Sequence, residues 1–333
     1  MLSLEAKSGR LAIALAQQLD HIGRGQGMMN VDLERYEGCL LGLACGDAVG
    51  ATVEFIPRGR FAPVTDMTGG GKFRLQKGEW TDDTSMALCL AESLIERGCF
   101  DPLDQMQRYW RWADQGHNSC RSYAFGIGKT VAKALSRFHQ TGEPYSGSTD
   151  SRSSGNGSLM RLAPIPMYYL RSSEQAQDFA ALSSMTTHAS DECLASCRYF
   201  ALVLLRALAG ETDKTRLLPI PCDLDLPPAL QPIAEQRFRH AHVDHISGSG
   251  YVVESLEAAL WCFWHTDNFR DAVLAAANLG DDADTTAAIC GQLAGAYYGI
   301  KQIPQLWVSA LHRADDIRRI ARELGNAARA FEA

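Results

Sequence analysis

The sequence predicts an all-α fold. Apolar residues recur at helical spacing along most of the 333 residues, alternating strand-like runs are nearly absent, and the connections are rich in Gly, Pro and Ser. Periodicity marks helices over residues 4–19, 33–51, 84–97, 103–112, 127–137, 176–185, 191–209, 253–264, 271–278, 285–298 and 317–331. The longest connections, 57–78, 141–157 and 219–250, are where functional groups are expected, since loops on a helical scaffold commonly carry them. No internal repeat is evident. Gly23-Arg24-Gly25-Gln26-Gly27-Met28-Met29 divides an amphipathic N-terminal segment from the main body. Residues 1–30 are therefore expected to form an extension with a flexible linker, and 31–333 a single domain.

Composition narrows the function classes. A hydrophobic content of 46% is enough for one sizeable core or two small ones. A net charge of -7, a sequence pI near 5.7 and no Lys/Arg-rich run argue against nucleic acid as a partner. No segment reaches the ~20 apolar residues needed to cross a bilayer. The run Leu11-Ala12-Ile13-Ala14-Leu15-Ala16 is shorter than the ~7–15 residues of a signal-peptide core and stops at Gln17-Gln18. The 10 cysteines are scattered without a CxxC pair, the pattern of buried reduced thiols in a cytoplasmic protein.

Two acidic clusters carry the chemistry. Trp80-Thr81-Asp82-Asp83-Thr84 and Gly280-Asp281-Asp282-Ala283-Asp284-Thr285 each open an apolar helical run. Singly, either has a capping explanation, because Thr and Asp at a helix start accept bonds from free N–H groups. The pair does not, since five carboxylates and three threonine hydroxyls exceed what two caps need, and convergent carboxylates repel without a cation. An all-oxygen donor set free of imidazole and thiolate suits Mg²⁺ or Mn²⁺ over zinc. Other patterns carry less. Gly126-Ile127-Gly128-Lys129-Thr130 ends like a phosphate-binding P-loop, but Tyr123 stands where that motif needs its first glycine. His240, His242 and His245 read as a solvated loop.

The clusters fall in an ordered set of segments: Gly42-Leu43-Ala44-Cys45-Gly46-Asp47-Ala48-Val49-Gly50, then Glu54, the first cluster, Gly155-Asn156-Gly157-Ser158-Leu159-Met160-Arg161, Thr187-His188-Ala189-Ser190, and the second cluster. This order, from about Arg35 to about Ala321, resembles the ADP-ribosylglycohydrolase family, most nearly its branch of dinitrogenase reductase-activating glycohydrolases. The resemblance implies a compact multi-helix orthogonal bundle with two Mg²⁺ or Mn²⁺ ions, hydrolysing the bond between ADP-ribose and a modified protein side chain. It implies Thr81, Asp82 and Asp83 as ligands of one ion, Asp282 and Thr285 of the other, and Asp284 as shared. Two such cations can grip the ribose hydroxyls, hold a water and lower its pKa, while a carboxylate takes the proton. Catalytic roles fall on Glu54, Asp83 and Asp284. Gly155, Asn156, Gly157 and Ser158 resemble the pyrophosphate and ribose cradle. His188 matches a position near the diphosphate or proximal ribose, and Tyr251 either the substrate rim or a core aromatic.

One position departs from the pattern. Arginine-directed relatives often carry an acidic residue three places before the loop asparagine, where this chain has Ser153. Either a neighbour such as Asp150 substitutes or the acceptor preference has changed. Arginine-linked ADP-ribose is the first expectation, ahead of serine-linked or other conjugates and of a non-catalytic binding member of the fold. In the extension, Leu4, Leu11, Ile13, Leu15, Leu19 and Ile22 form an apolar stripe. Some relatives neutralise ADP-ribosylating toxins, so this arm is expected either to dock on such a transferase, an immunity role, or to pack on its own domain.

Overall fold

The computed structural model describes residues 31–218 and 226–330. The helices are α1 (Leu33–Gly50), α2 (Asp82–Arg97), α3 (Pro102–Gln115), α4 (Lys129–Thr141), α5 (Pro164–Tyr168), α6 (Ser173–Met185), α7 (Asp191–Leu208), α8 (Lys214–Leu217), α9 (Gln231–Ala234), α10 (Val252–Trp264), α11 (Phe269–Ala277), α12 (Ala283–Tyr298), α13 (Gln305–Ala310) and α14 (Ala314–Ala330). Beyond these there are short 3-10 turns and isolated β-bridges. The all-α expectation holds. The helix expected over 4–19 and the linker that follows lie outside the described residues.

Most helices begin one to three residues earlier than apolar periodicity alone places them, and at α3, α6 and α11 a capping residue explains why. Asp101 accepts from the N–H groups of Leu103 and Asp104 at 3.0 and 3.1 Å, and Pro102 fills the first helical position, where its missing N–H costs nothing. Asn268 likewise accepts from Asp271 at 2.9 Å, so α11 starts at Phe269. The reverse happens at α4. Gly126 has φ of +79° and Gly128 is extended, so the helix expected from residue 127 starts only at Lys129. Periodicity missed α5, built on Pro164-Ile165-Pro166, and α13, both too short to show a repeat.

At the centre, α1 and α12 pack antiparallel with their backbones in contact. Gly38, Gly42, Gly46 and Gly50 recur every fourth residue on one face of α1. A Cβ added at these positions would lie 2.2 Å from Gly295 O, 2.3 Å from Gly291 O, 2.1 Å from Ala287 O and 2.3 Å from Ala283 O respectively. No real Cβ tolerates such distances, so the approach requires glycine. Nearly every residue of both helices is buried. Around this pair lie α14, α11, α10 and α7. Arg35 fastens the far end, donating to Ala296 O and Tyr297 O at the C-terminus of α12 and to Ala207 O of α7, a cation where helix dipoles favour one. No described helix is long and apolar enough to cross a membrane. The nine described cysteines are all free, and all but Cys99 are buried.

The near end of this pair carries the loops, tied together by backbone bonds. Phe55 N–H donates to Asp281 O at 2.6 Å and Asp281 N–H to Ile56 O at 2.9 Å, joining the segment after α1 to the turn before α12. Asp282 N–H donates to Gly248 O at 2.8 Å, and Asn156 N–H to Gly250 O at 3.1 Å. Gln292 of α12 accepts from Ala163 N–H at 2.9 Å and donates to Met160 O at 2.7 Å, holding the chain just behind Asn156.

The central contact is testable. Gly46→Ala, with its Cβ facing Ala287 O at 2.1 Å, is expected to cost about 3 kcal/mol in denaturant unfolding. Gly128→Ala, which meets nothing within 4 Å, should stay within about 0.5 kcal/mol of the parent protein. Equal stability of the two variants would refute the backbone contact.

Candidate metal centre and substrate cleft

The first acidic cluster does not cap its own helix. Thr81 stands at the N-cap of α2 without a side-chain capping bond. The cap comes from α1, where Asp47 in the last turn accepts from Thr81 N–H at 2.9 Å and Thr84 N–H at 3.1 Å, and from the Thr84 hydroxyl at 2.6 Å. That arrangement frees Asp82 and Asp83 from capping. The Thr81 hydroxyl lies 2.9 Å from Asp47 Oδ1, 3.0 Å from Asp83 Oδ2 and 3.4 Å from Asp284 Oδ2. Asp82 faces the 126–128 segment, where a Cβ on Gly126 would fall 2.6 Å from Asp82 Oδ1.

The second cluster arrives from α12. Its N-cap, Asp282, also makes no capping bond; its Oδ2 instead accepts from the Asn156 amide at 2.6 Å. Asp284 sits in the first turn, with Oδ1 accepting from Thr285 N–H at 2.9 Å. The two clusters meet. One oxygen each of Asp47, Asp83 and Asp284 lie within 4.8 Å of one another, and so do those of Glu54, Asp282 and Asp284, so Asp284 belongs to both groups.

Such crowding resists ionisation. Burial, reinforced by Asp282, pushes Glu54 up to about 8. Burial raises Asp47 to about 6 against the hydrogen bonds from Thr84 and Thr81. Asp82, Asp83 and Asp284 lie well above the usual carboxylate range, chiefly through burial and then through the charges of Glu54 on Asp82 and Asp284 and of Asp47 on Asp83. Burial raises Asp282 as well, against the hydrogen bond from the Asn156 amide. Glu54 Oε2 and Asp83 Oδ1 are buried without a hydrogen-bond partner. Orphaned carboxylate oxygens in an all-oxygen cluster fit hard divalent cations.

At the carboxylates lies a cleft of about 170 Å³ lined by Glu54, Asp82, Asp282, Asp284 and Thr285 together with Gly155, Asn156, Gly157 and His188. The His188 ring packs on Gly155 and Gly157; a Cβ on Gly157 would lie 2.8 Å from its Cε1. Burial and the charge of Arg161 lower His188 to about 3, so the ring is neutral. Lys129 and Thr130 also line a neighbouring groove of about 820 Å³ that includes Lys133, Arg137 and Ser153.

A family model described as ADP-ribosylglycohydrolase matches residues 28–332. The chain belongs to the ADP-ribosylglycohydrolase family. It is 42% identical over 292 residues to the ADP-ribosylarginine hydrolase Tri1 of Serratia proteamaculans, covering 88% of this chain and 79% of that protein. It is 32% identical over 285 residues to the ADP-ribosyl-[dinitrogen reductase] glycohydrolase of Rhodospirillum rubrum, covering 84% and 90%. Among solved structures, one titled ADP-ribosylglycohydrolase-related protein complex superposes with a TM-score of 0.80 at 43% identity, over 89% of this chain and 98% of that one. As a member of this family the chain is a hydrolytic enzyme.

Within this family fold, the expected residues divide. Thr81, Asp82, Asp83, Asp282, Asp284, Thr285 and Glu54 converge, and Gly155, Asn156, Gly157 and His188 line the same cleft, with Asn156 in contact with Asp282. Ser158 turns away from the cleft, its hydroxyl accepting from Ser184 at 2.7 Å in the core. Tyr251 does not line the cleft; its backbone bridges to Gly155. Asp150 is exposed and paired with Arg152 at 2.8 Å. Sequence patterns alone assign Asp47 no role, and they set aside the segment from Gly126 to Thr130, most of which lines the cleft. His242 and its neighbours are exposed or half-buried, as expected of a loop.

A carboxyl whose pKa is raised by folding favours the folded state while protonated and opposes it once ionised. For Glu54 and Asp47 that loss accumulates as pH rises from ~4 toward their raised values of about 8 and about 6. In EDTA the protein is therefore expected to melt at a lower temperature at pH 8 than at pH 5.5, and Mg²⁺ or Mn²⁺ to restore it at pH 8. Asp83→Asn should raise the melting temperature in EDTA and weaken the response to cation, as read by calorimetry.

Proposed function

We propose that this enzyme hydrolyses the N-glycosidic bond joining ADP-ribose to arginine side chains of modified proteins, with two divalent cations, Mg²⁺ or Mn²⁺. The observation that carries the reading is the membership of Asp284 in both carboxylate groups at a cleft that a glycine loop also lines. The relatives named ADP-ribosylarginine hydrolase favour arginine as the acceptor. Asp47, Thr81, Asp82 and Asp83 would hold one cation, Asp282 and Thr285 the other, with Asp284 between them. When bound, the cations supply Lewis-acid polarisation and neutralise the cluster.

The remaining work falls to the chain. Glu54, raised to about 8 and with one oxygen unpartnered, takes the proton of the water that attacks the anomeric carbon. The guanidine leaves with the bonding pair and is reprotonated from solvent. Asn156 aligns Asp282, and the loop of Gly155 and Gly157 lets backbone approach the phosphates without a side chain between. Ser158 and Tyr251 hold that loop in place, through the core and through the bridge to Gly155 respectively. The wider groove beside Lys129 gives the rest of the ADP-ribose room beyond the small carboxylate cleft.

Release of ADP-ribose from a protein mono-ADP-ribosylated on arginine is expected with Mg²⁺ or Mn²⁺, to vanish in EDTA, and to fall by about 10³-fold or more in Asp82→Ala and Asp284→Ala. Release from serine-linked substrate alone would transfer the acceptor to serine. No release from either by the metal-loaded protein would leave a binding role.

The extension supports a second activity at the level of sequence. Its apolar stripe on residues 1–30, joined through glycines, suits docking on an ADP-ribosylating transferase, so that the enzyme both reverses the modification and blocks its source. Deleting residues 1–30 is expected to abolish binding to such a transferase while leaving hydrolysis intact; unchanged binding would end this reading.

A further inference from the structure

Arg161 is fully buried, yet no carboxylate pairs with it among the described residues and its Nε has no hydrogen-bond partner. Burying a guanidinium without a counter-charge is unfavourable, so the contacts it does make are informative. One terminal nitrogen donates to Gly157 O at 2.9 Å, beneath the glycine loop, and the other to the Thr187 hydroxyl at 2.8 Å. The group lies 4.7 Å over the Tyr109 ring.

Thr187 passes this contact on. Its hydroxyl oxygen also lies 2.8 Å from His188 Nδ1, and Thr187 is fully buried with no further side-chain hydrogen bond among the described residues. An arginine can only donate, and a hydroxyl has one proton to give. With Arg161 on one lone pair, the Thr187 proton has a single acceptor in reach, His188 Nδ1. If Nδ1 carried the proton instead, it would occupy the second lone pair and leave the hydroxyl proton buried with no acceptor, an arrangement folded proteins avoid. The neutral ring therefore carries its proton on Nε2. That nitrogen makes no hydrogen bond within the described protein, and it borders the cleft 3.2 Å from where a Cβ of Gly157 would stand.

We infer that Arg161 and Thr187 are positioning residues that fix His188 in the Nε2–H tautomer, as a neutral donor aimed at an acceptor oxygen of the bound ADP-ribose. The identity of the ligand rests on the proposed function; the tautomer does not. The buried arginine thereby acts on the cleft through a hydroxyl and an imidazole without entering it.

Histidine-selective ¹⁵N labelling of the full chain reads the tautomer directly, with His188→Gln assigning the signal. At pH 7 without ligand, one neutral form protonated on Nε2 is expected. A ring protonated on Nδ1, doubly protonated, or exchanging between tautomers would overturn the inference. Thr187→Val should give exchanging tautomers and roughly tenfold weaker binding of free ADP-ribose in Mg²⁺ by calorimetry, with Thr187→Ser restoring both. Equal losses in the two variants, or weaker binding with the Nε2–H signal unchanged, would assign Thr187 to packing and overturn it. The tautomer needs no turnover to be seen, so a chain that shows it but leaves arginine-linked ADP-ribose intact refutes the proposed function alone.

Discussion

The backbone contact between α1 and α12 is the constraint on which the site depends. Because the helices run antiparallel, the last turn of α1 lies against the first turn of α12, and Asp47 on one meets Asp284 on the other. Four glycines at every fourth position permit an approach that side chains would widen by ångströms. The carboxylate groups close to within 4.8 Å, so a widening of that order would take Asp47 out of reach of Asp284 and of the N–H groups of α2 that it caps. Three helices are thus brought together at one point by the absence of side chains where two of them meet, at the four glycines of α1 and at Gly291 and Gly295 of α12.

The same contact imposes an electrostatic load. Six carboxylates, those of Asp47, Glu54, Asp82, Asp83, Asp282 and Asp284, are drawn into a poorly solvated space where burial raises them all and repulsion among them adds to it at Glu54, Asp82, Asp83 and Asp284. Hydrogen bonds relieve it unevenly. Asp47 is well supplied by Thr81 and Thr84, and Asp282 by Asn156, whereas Glu54 Oε2 and Asp83 Oδ1 have no partner. The backbone latches from Phe55 to Asp281 and from Asp282 to Gly248 hold the loops against this repulsion. The left-handed φ of Phe55 and Asp281, at +65° and +55°, shows that the latch is kept in a conformation these residues rarely adopt.

How much of this was legible in the sequence depended on whether its signal was local. Helices of three turns or more announce themselves through periodicity, and the two acidic clusters through an excess of carboxylates over what caps require. Asp47 did not, because a lone aspartate inside an apolar helix has no local partner: the groups it binds, on Thr81 and Thr84, lie more than thirty residues away. A signal for the helix contact was nonetheless present in the four-residue spacing of Gly38, Gly42, Gly46 and Gly50. The segment at Gly126 lacks the glycine spacing of a P-loop, and its place depends on Asp82 leaving room only for glycine. Ser158 sits within a loop motif whose glycines face the cleft, but helical turn geometry carries its hydroxyl to Ser184.

Two parts of the cleft lining are built on opposite electrostatic principles. One is a carboxylate surface that needs added positive charge. The other offers glycine backbone and a neutral imidazole, its Asn156 amide already committed to Asp282 and Ser255 and the formal charge of Arg161 withdrawn beneath the loop. A guanidinium projecting from the glycine loop into so small a cleft would pair with the carboxylates and compete with the cations for them; the lysine of the lining, Lys129, stands where the lining is shared with the wider groove. Withholding the guanidinium, and passing its effect through Thr187 and His188, lets that part of the lining donate hydrogen bonds to an anionic ligand while the carboxylates stay available to metal. The burial of an unpaired arginine, unfavourable in itself, follows from keeping these two requirements apart.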